Sequence, residues 1–377
     1  MKKVLCFAAA AMAIFASCQK TEVVYSNDGP QEIALFAVNK TATKAPVSSA
    51  AFPEDYDMWV AAYLTAGSAD NQKHDYFGRT RFGFSESDNT WKGGMYWPLS
   101  ASTLNFLAVT CPQADDNAYT GSVSDVNFGT INYASSVTLD FSDNQTVQAN
   151  GNAAGKYNQF DLMYAAGQQS NTIGTTGTSS YQTAGLIFAH ALSWINFTVA
   201  KNNVTPNVVV NSIRLNGASY GGTLMLNNAN YNNASTSSTE NVTPQWTSVV
   251  NPISNVYVPG GSADKDEDTN AFADKNISAT GNAAAVTLNT DAQAFGNGLL
   301  VIPNKYTTSP SFTINYTITQ DGIANTFEYT YDFGANTEWD FAKKYTYNVV
   351  IKLTEIEVTP SVTSWTAVSG TDVYLGI

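Results

Sequence analysis

No motif assigns a catalytic role by itself in this 377-residue chain, so its reactive side chains have to be weighed by type and spacing. Asp264, Asp266 and Asp268, in ADKDEDTNA, alternate as the first carboxylates of a calcium loop do. The rest of such a loop is missing: the sixth position, which needs glycine for a sharp turn, is Thr269, and the twelfth, which needs a bidentate glutamate, is Lys275. A solvated acidic loop is expected there, and no metal site is assigned. Two histidines exist, His74 in the polar loop NQKHDYFG and His190 in LIFAHALSWINFTV, and both are expected to be structural. Neither HExxH, a P-loop nor a dinucleotide fingerprint occurs. Glycoside hydrolysis needs a pair of carboxylates, and nothing singles out one pair among so many acids. The expectation is no catalytic residue, no cofactor and no enzyme.

The cysteines and one lysine carry a different chemistry. The opening MKKVLCFAAAAMAIFASCQK has two lysines, an apolar run over residues 4–16, and small residues before Cys18, which is the form of an export signal. The run is shorter than the ~20 residues of a spanning helix. FASC resembles a bacterial lipobox, with Phe15 where leucine is usual, so residues 1–17 are expected to leave as a signal peptide and Cys18 to carry lipid, palmitate included. Cys6 leaves with the signal, and Cys111, at the end of the apolar strand LNFLAVTCP, remains as a buried thiol without a disulfide framework. Lys44 lies in NKTATKAPVSS, a small, polar, protease-accessible stretch that follows the apolar run QEIALFAV. In that run Ile33, Leu35 and the neighbouring Phe36 mark a buried strand. A cut between Lys44 and Ala45 would detach it.

Composition narrows the partners. Charged residues make up 13%, against about 25% in a typical globular chain, and solubility rests on Asn, Thr, Ser, Gly and Tyr. The formal charge is -13, so a phosphate backbone, which demands clustered Lys and Arg, is excluded as a partner. The nearest thing to a cluster, Lys343 and Lys344, is expected to be a solvated strand end.

These residues must be positioned by strands. Thr, Tyr and Val suit a pleated sheet, Asn, Gly and Ser its turns, and no long amphipathic helix is apparent, so the chain is all-β. Strands are expected over residues 57–65, 102–110, 135–142, 298–303, 311–320 and 327–333, with DGIAN (321–325) as hairpin turn chemistry. GLLVIP is apolar on both faces, which suits a strand covered from both sides. In KYTYNVVIKLTEIEV the apolar parity slips near Glu355, implying a bulge or a change of sheet. Residues 167–185 lack helical or strand periodicity and are taken as the boundary between two β-sandwich domains, 45–185 and 186–377. Trp91, Tyr96 and Trp97 in TWKGGMYWPLS are expected to pack, with sugar stacking as the competing use.

Several segments together, YWP (96–98), FDLMYA (160–165), LIFAHALSWINFTV (186–199), GLLVIP and KKYTYNVVIKLTEIEVTPSVTSW (343–365), resemble the fimbrillin, or type V pilin, family of lipoprotein-derived fibre subunits. The resemblance implies two transthyretin-like β-sandwich domains in tandem and export as an outer-membrane lipoprotein held by lipid on Cys18. It further implies a propeptide, residues 18–44, trimmed by an Arg/Lys-specific protease, polymerisation with other fimbrial subunits by strand donation, and no catalysis. The family trims most often after arginine, where this chain offers Lys44. On that reading Ile33 and Leu35 belong to a displaced strand, and the tail 357–377 is the donor, with Val358, Val362, Trp365, Val373 and Leu375 as pocket-filling residues. Stalk, tip and anchor roles stay open. So does a monomeric surface lipoprotein, a tip adhesin or a module binding a glycan or host surface ligand.

Overall fold

The computed structural model describes residues 30–39, 52, 56–65, 74–87, 89–98, 102–112, 136–141, 161–173, 179–180, 184–219, 221–227, 243–247, 249, 252, 254–258, 285–353 and 355–364. Cys18, Lys44, Ala45, the acidic loop at 264–268, Trp365, Val373 and Leu375 lie outside them. Every regular element among the described residues is a strand, so the all-β expectation holds.

The first nine strands are β1 (Glu32–Asn39), β2 (Tyr56–Thr65), β3 (His74–Ser85), β4 (Thr90–Tyr96), β5 (Ser102–Pro112), β6 (Ser136–Phe141), β7 (Met163–Ile173), β8 (Ser179–Ser180) and β9 (Ala184–His190). His74 thus opens a strand rather than sitting in a loop. Hydrogen bonding runs β5-β2-β3-β4-β1-β9-β7, and β5 also pairs with β7, so seven strands close on themselves as a ring, with β8 hairpinned to β7. All ring pairs are antiparallel except β1 with β9. Closure removes the exposed edges that an open sheet would leave. Inside the ring, Met58, Val60, Phe82, Leu104, Phe106 and Phe188 pack as one apolar cluster.

The remaining strands are β10 (Ser193–Lys201), β11 (Asn207–Asn216), β12 (Gly222–Asn227), β13 (Thr243–Thr247), β14 (Val256–Tyr257), β15 (Val286–Thr287), β16 (Gln293–Ala294) and β17 (Leu299–Val301). They end with β18 (Asn304–Lys305), β19 (Ser311–Gln320), β20 (Ile323–Asp332), β21 (Glu338–Trp339), β22 (Lys343–Ile351) and β23 (Ile356–Ser364). Two five-stranded sheets form here. One runs β16-β10-β22-β23 with β17 also on β10; the other runs β14-β11-β19-β20 with β15 also on β11. Alternate residues of both sheets, among them Phe197, Val210, Ile213, Phe312, Tyr347 and Val349, interdigitate as a second cluster, which makes this half a β-sandwich. The parity slip near Glu355 is a hairpin turn: β22 and β23 are antiparallel neighbours in one sheet, and Lys352 N–H donates to Glu355 O at 2.9 Å.

The two halves share a wall. In β10, Trp194 faces the first cluster and Ile195 the second; in β17, Leu300 faces the first while Leu299 and Val301 face the second. That is the two-sided covering expected of GLLVIP. Gly298 enters this wall at φ 75°, where a Cβ would come within 2.5 Å of Ile195 O. The expected division at residue 185 falls inside β9, whose residues pair with β1 and β7. The tract 167–185 contains the end of β7, β8 and the start of β9, so its lack of side-chain periodicity concealed strands. Ladders need only backbone groups, and a strand exposed to solvent can be made of Gly, Ser and Thr. β6 pairs with β12, which pairs with β13, so a three-stranded sheet also joins residues from either side of that division.

Candidate functional site

The site that stands out is the seam closed by β1. Its odd residues Ile33, Leu35 and Ala37 are buried at 0%, 0% and 4% exposure, as an alternating strand facing a core requires. The first half of β1 pairs with β4 and the second half with β9. Glu32 stands opposite Tyr96, Ala34 opposite Lys92, and Leu35 opposite Trp91 on one side; Leu35 to Asn39 run parallel to Ala184 to Phe188 on the other. Leu35 is where the two ladders overlap.

Two further bonds pin the start of the strand. Trp97 N–H donates to Gln31 O at 2.9 Å, and Gly94 N–H donates to Glu32 Oε1 at 2.9 Å. Gly94 holds φ 69°, which a residue without Cβ adopts cheaply. A register shift between Glu32 and Ala34 leaves room for that side-chain contact. Among the described residues, β4 pairs otherwise only with β3, and β9 only with β7, so β1 alone bridges them. Parallel pairing is slightly weaker per residue than antiparallel, so the β9 side is the weaker half of the seam.

Below the seam lies Phe52, 2% exposed. Its ring meets Trp91 of β4 edge-on at 5.1 Å and Phe188 of β9 at 4.4 Å between centroids. Trp91 Nε1–H in turn donates to Tyr56 O at 2.8 Å, tying β4 to β2. Phe52 is C-terminal to Lys44, so it belongs to the chain that a cut there would leave behind. Sequence reasoning did not pick it out; a single aromatic residue between Ala51 and Pro53 shows no alternation. The seam performs no bond chemistry. It offers backbone hydrogen bonding along two strand edges and apolar pockets between them.

The other candidates resolve into structure. His190 Nδ1 lies 2.9 Å from Asp161 Oδ2, with side chains 3% and 0% exposed, at the point where β9 meets β7. Thr110 Oγ1 donates to Asp161 O at 3.1 Å and accepts from Met163 N–H at 2.8 Å, so this is a buried polar joint. Trp91 and Trp97 are each 3% exposed, the latter edge-on to Phe106 at 6.2 Å, and neither presents a face to a sugar; Tyr96 is 50% exposed. Cys111 lies at the end of β5, as expected. The pair Lys343 and Lys344 is not a solvated strand end throughout. Lys344 Nζ sits 3.8 Å over the Trp194 ring, and burial pushes its pKa down, whereas Lys343 Nζ donates to Ser364 Oγ at 3.3 Å. No group of three or more His, Cys, Asp or Glu gathers as a metal site among the described residues. No described helix is long and apolar enough to cross a membrane.

Two of the expected donor residues are described. Val358 and Val362 lie in β23, opposite Val349 and Tyr345 of β22. Val358 packs partly against the sandwich core, while Val362 is 56% exposed and β23 is exposed throughout from Thr359 to Ser364.

A family model described as fimbrillin-like matches residues 43–365. The chain belongs to the fimbrillin-like family. Membership supports a fimbrial, cell-surface role and association with other fimbrial subunits, and it speaks against an enzyme. Among solved structures, this fimbrillin-like chain is similar to a fimbrial protein from Bacteroides vulgatus, with 16% identity, 89% of this chain and 100% of that chain covered, and a TM-score of 0.48. A fimbrial assembly protein from Parabacteroides distasonis shares 10% identity over 89% of this chain and 98% of its own, at a TM-score of 0.35. The fimbrial anchor protein Mfa2 from Porphyromonas gingivalis shares 12% over 89% and 98%, at 0.31. A search of curated proteins finds no match.

Proposed function

We propose that this fimbrillin-like chain is a building subunit of a surface fimbria in which β1 is a temporary strand. It is exported as an outer-membrane lipoprotein anchored through Cys18, cut between Lys44 and Ala45, and polymerised by a donor strand that fills the seam β1 leaves. The observation that carries this reading is that β1 alone bridges β4 and β9 among the described residues, while lying N-terminal to Lys44. Removing it would turn the closed ring into an open sheet with two facing edges about 10 Å apart, twice the spacing of neighbouring strands. Such a gap is the width of one strand.

The donor in this proposal is the C-terminal segment 357–377 of another subunit, with Val358, Val362, Trp365, Val373 and Leu375 as its apolar residues. The exposure of β23 beyond Val358 supports the idea, because that half is held by its ladder with little core packing to give up. Each apolar side chain seated in a pocket contributes about 1.5–3 kcal/mol, and each ladder bond about 1 kcal/mol. Ordering a free tail costs about 1–2 kcal/mol per residue, so several pockets and most of the ladder must be filled for exchange to proceed.

Three variants test the proposal. A Lys44→Ala chain is expected to stay out of fibres on the surface, and a chain ending at Thr359 is expected to accept a donor without supplying one. Cys18→Ala protein is expected to leave the outer-membrane fraction, since stable anchoring takes more than one acyl chain and a cysteine to carry them. Full-length fibres from both of the first two variants would sink the strand-exchange reading, and N-terminal sequencing of surface protein that finds only Cys18 starts would remove the cut.

A further inference from the structure

The C-terminal sandwich has four lateral edges among its described strands, and three are blunted. β14, β15 and β16 are two residues long and β17 three. β23 is longer, but Pro360 interrupts its outer edge, since it has no N–H to offer. The fourth edge, β20, is different. It spans ten residues in unbroken register with β19, without a proline, a lysine or a bulge, which are the usual devices that keep an edge from pairing. Ile323 and Phe327 on this strand are 66% and 44% exposed, and Phe327 leans on Tyr316 with ring centroids 5.6 Å apart.

We propose that β20 is a docking edge for β20 of a second copy of the chain, paired antiparallel about a two-fold axis at Phe327. The hairpin decides which groups are available. Asp321 and Gly322 form its two-residue turn with φ 53° and 79°, so Gln320 and Ile323 exchange hydrogen bonds, and so does every second residue pair after them. The N–H and C=O groups of Ala324, Thr326, Glu328 and Thr330 therefore point outward from the sheet. Placing the axis at Phe327 makes Phe327 face its own copy as a non-hydrogen-bonded pair. Thr326 then meets Glu328, Asn325 meets Tyr329, and Ile323 meets Tyr331.

Charge favours this register and this patch. The molecule carries a net charge of -13, so most approaches between copies are repulsive. Over residues 323–331, Glu328 is the sole ionisable acid or base apart from the tyrosines, and Arg214 holds its carboxylate through both oxygens at 3.0 and 3.3 Å. An axis at Glu328 would set two carboxylates opposite each other, which is destabilising, whereas the Phe327 axis opposes no like charges. Exposed Phe327 and Ile323 then cover apolar and aromatic neighbours of the other copy. This contact does not depend on β1, Lys44 or the tail, so it stands or falls apart from the strand-exchange proposal.

The test uses the full chain carrying Cys18→Ala, so that no lipid drives association. Sedimentation velocity over a micromolar concentration series is expected to give a concentration-dependent dimer. In Thr326→Pro the proline removes an outward N–H, leaves the backbone ladder to β19 intact and loses the Thr317 Oγ1 contact at 3.0 Å, so dimerisation is expected to be lost, whereas Thr326→Val, which loses the same contact and keeps the N–H, is expected to dimerise. Phe327→Cys brings two thiols together at the axis and is expected to give a disulfide-linked dimer under mild oxidation, reversed by reductant and absent from the parent chain. A parent chain that stays monomeric, a Thr326→Pro chain that still dimerises, or a Phe327→Cys chain that does not cross-link would each overturn the proposal. The cross-link decides the matter if Thr326→Pro fails to fold.

Discussion

Truncating Leu35 to alanine removes the side chain at which both ladders of β1 overlap. Leu35 is fully buried, faces Trp91 of β4 and Ala184 of β9, and sits in a close-packed cluster with no solvent to fill the space left. Buried Leu→Ala changes cost about 2–5 kcal/mol, the transfer of the lost methyl groups plus the cavity left behind. At 1.4 kcal/mol per tenfold, the population with β1 released rises by about 30- to 4,000-fold. Hydrogen exchange in the uncut, unlipidated precursor measures this directly. Amides of Leu35, Ala37 and Asn39 are expected to exchange faster by that factor, while those of β19, in the other cluster, keep their rates. Protease cleavage after Lys44 is expected to accelerate in parallel if release exposes the segment. If β1 exchange is unchanged and urea unfolding shifts by less than about 1 kcal/mol, the seam does not depend on Leu35 and the argument that β1 closes the ring through its core face is wrong.

Two further outcomes follow from the packing. Burial pushes Tyr164, Tyr306 and Tyr347 up to about 12 from an ordinary 10.0. Their folded pKa values lie above the unfolded ones, so the stability they contribute is present below pH 10 and is lost as pH rises towards 12, at up to about 3 kcal/mol per tyrosine. Ultraviolet titration is expected to show these phenols ionising together with unfolding, and ionisation near pH 10 in an intact fold would contradict it. Trp97→Ala is expected to cost about 3–5 kcal/mol in urea unfolding, because the ring is buried against Phe106. Loss of glycan retention on an array at unchanged stability would instead make Trp97 a sugar contact.

Much of the architecture was legible because burial imposes a period of two on a strand. β2, β5, β19 and β22 announce themselves by alternating or continuous apolar residues, and Asp321-Gly322 by its turn chemistry. β8 and the polar end of β7 do not, since their ladders use backbone groups that every residue carries. The polar tract 167–185 looks like a linker for the same reason, until its hydrogen bonds are seen. Of the seam, Ile33 and Leu35 were legible as a strand. Phe52 was not, because a single aromatic residue has no period.

By itself, the sequence determined that the chain is all-β, that a buried strand precedes Lys44, and that Lys and Arg are not clustered along it. Those are consequences of composition, charge and local alternation, which act within a few residues. Only the tertiary structure decided that β1 lies between β4 and β9, that the first half closes as a ring, that the two cores share β10 and β17, and that β20 is a long, unblunted edge among the described strands. Each of these depends on which distant backbone edges meet, and a pairing between residues as far apart as Leu35 and Ala184 leaves no mark on the local pattern of either strand.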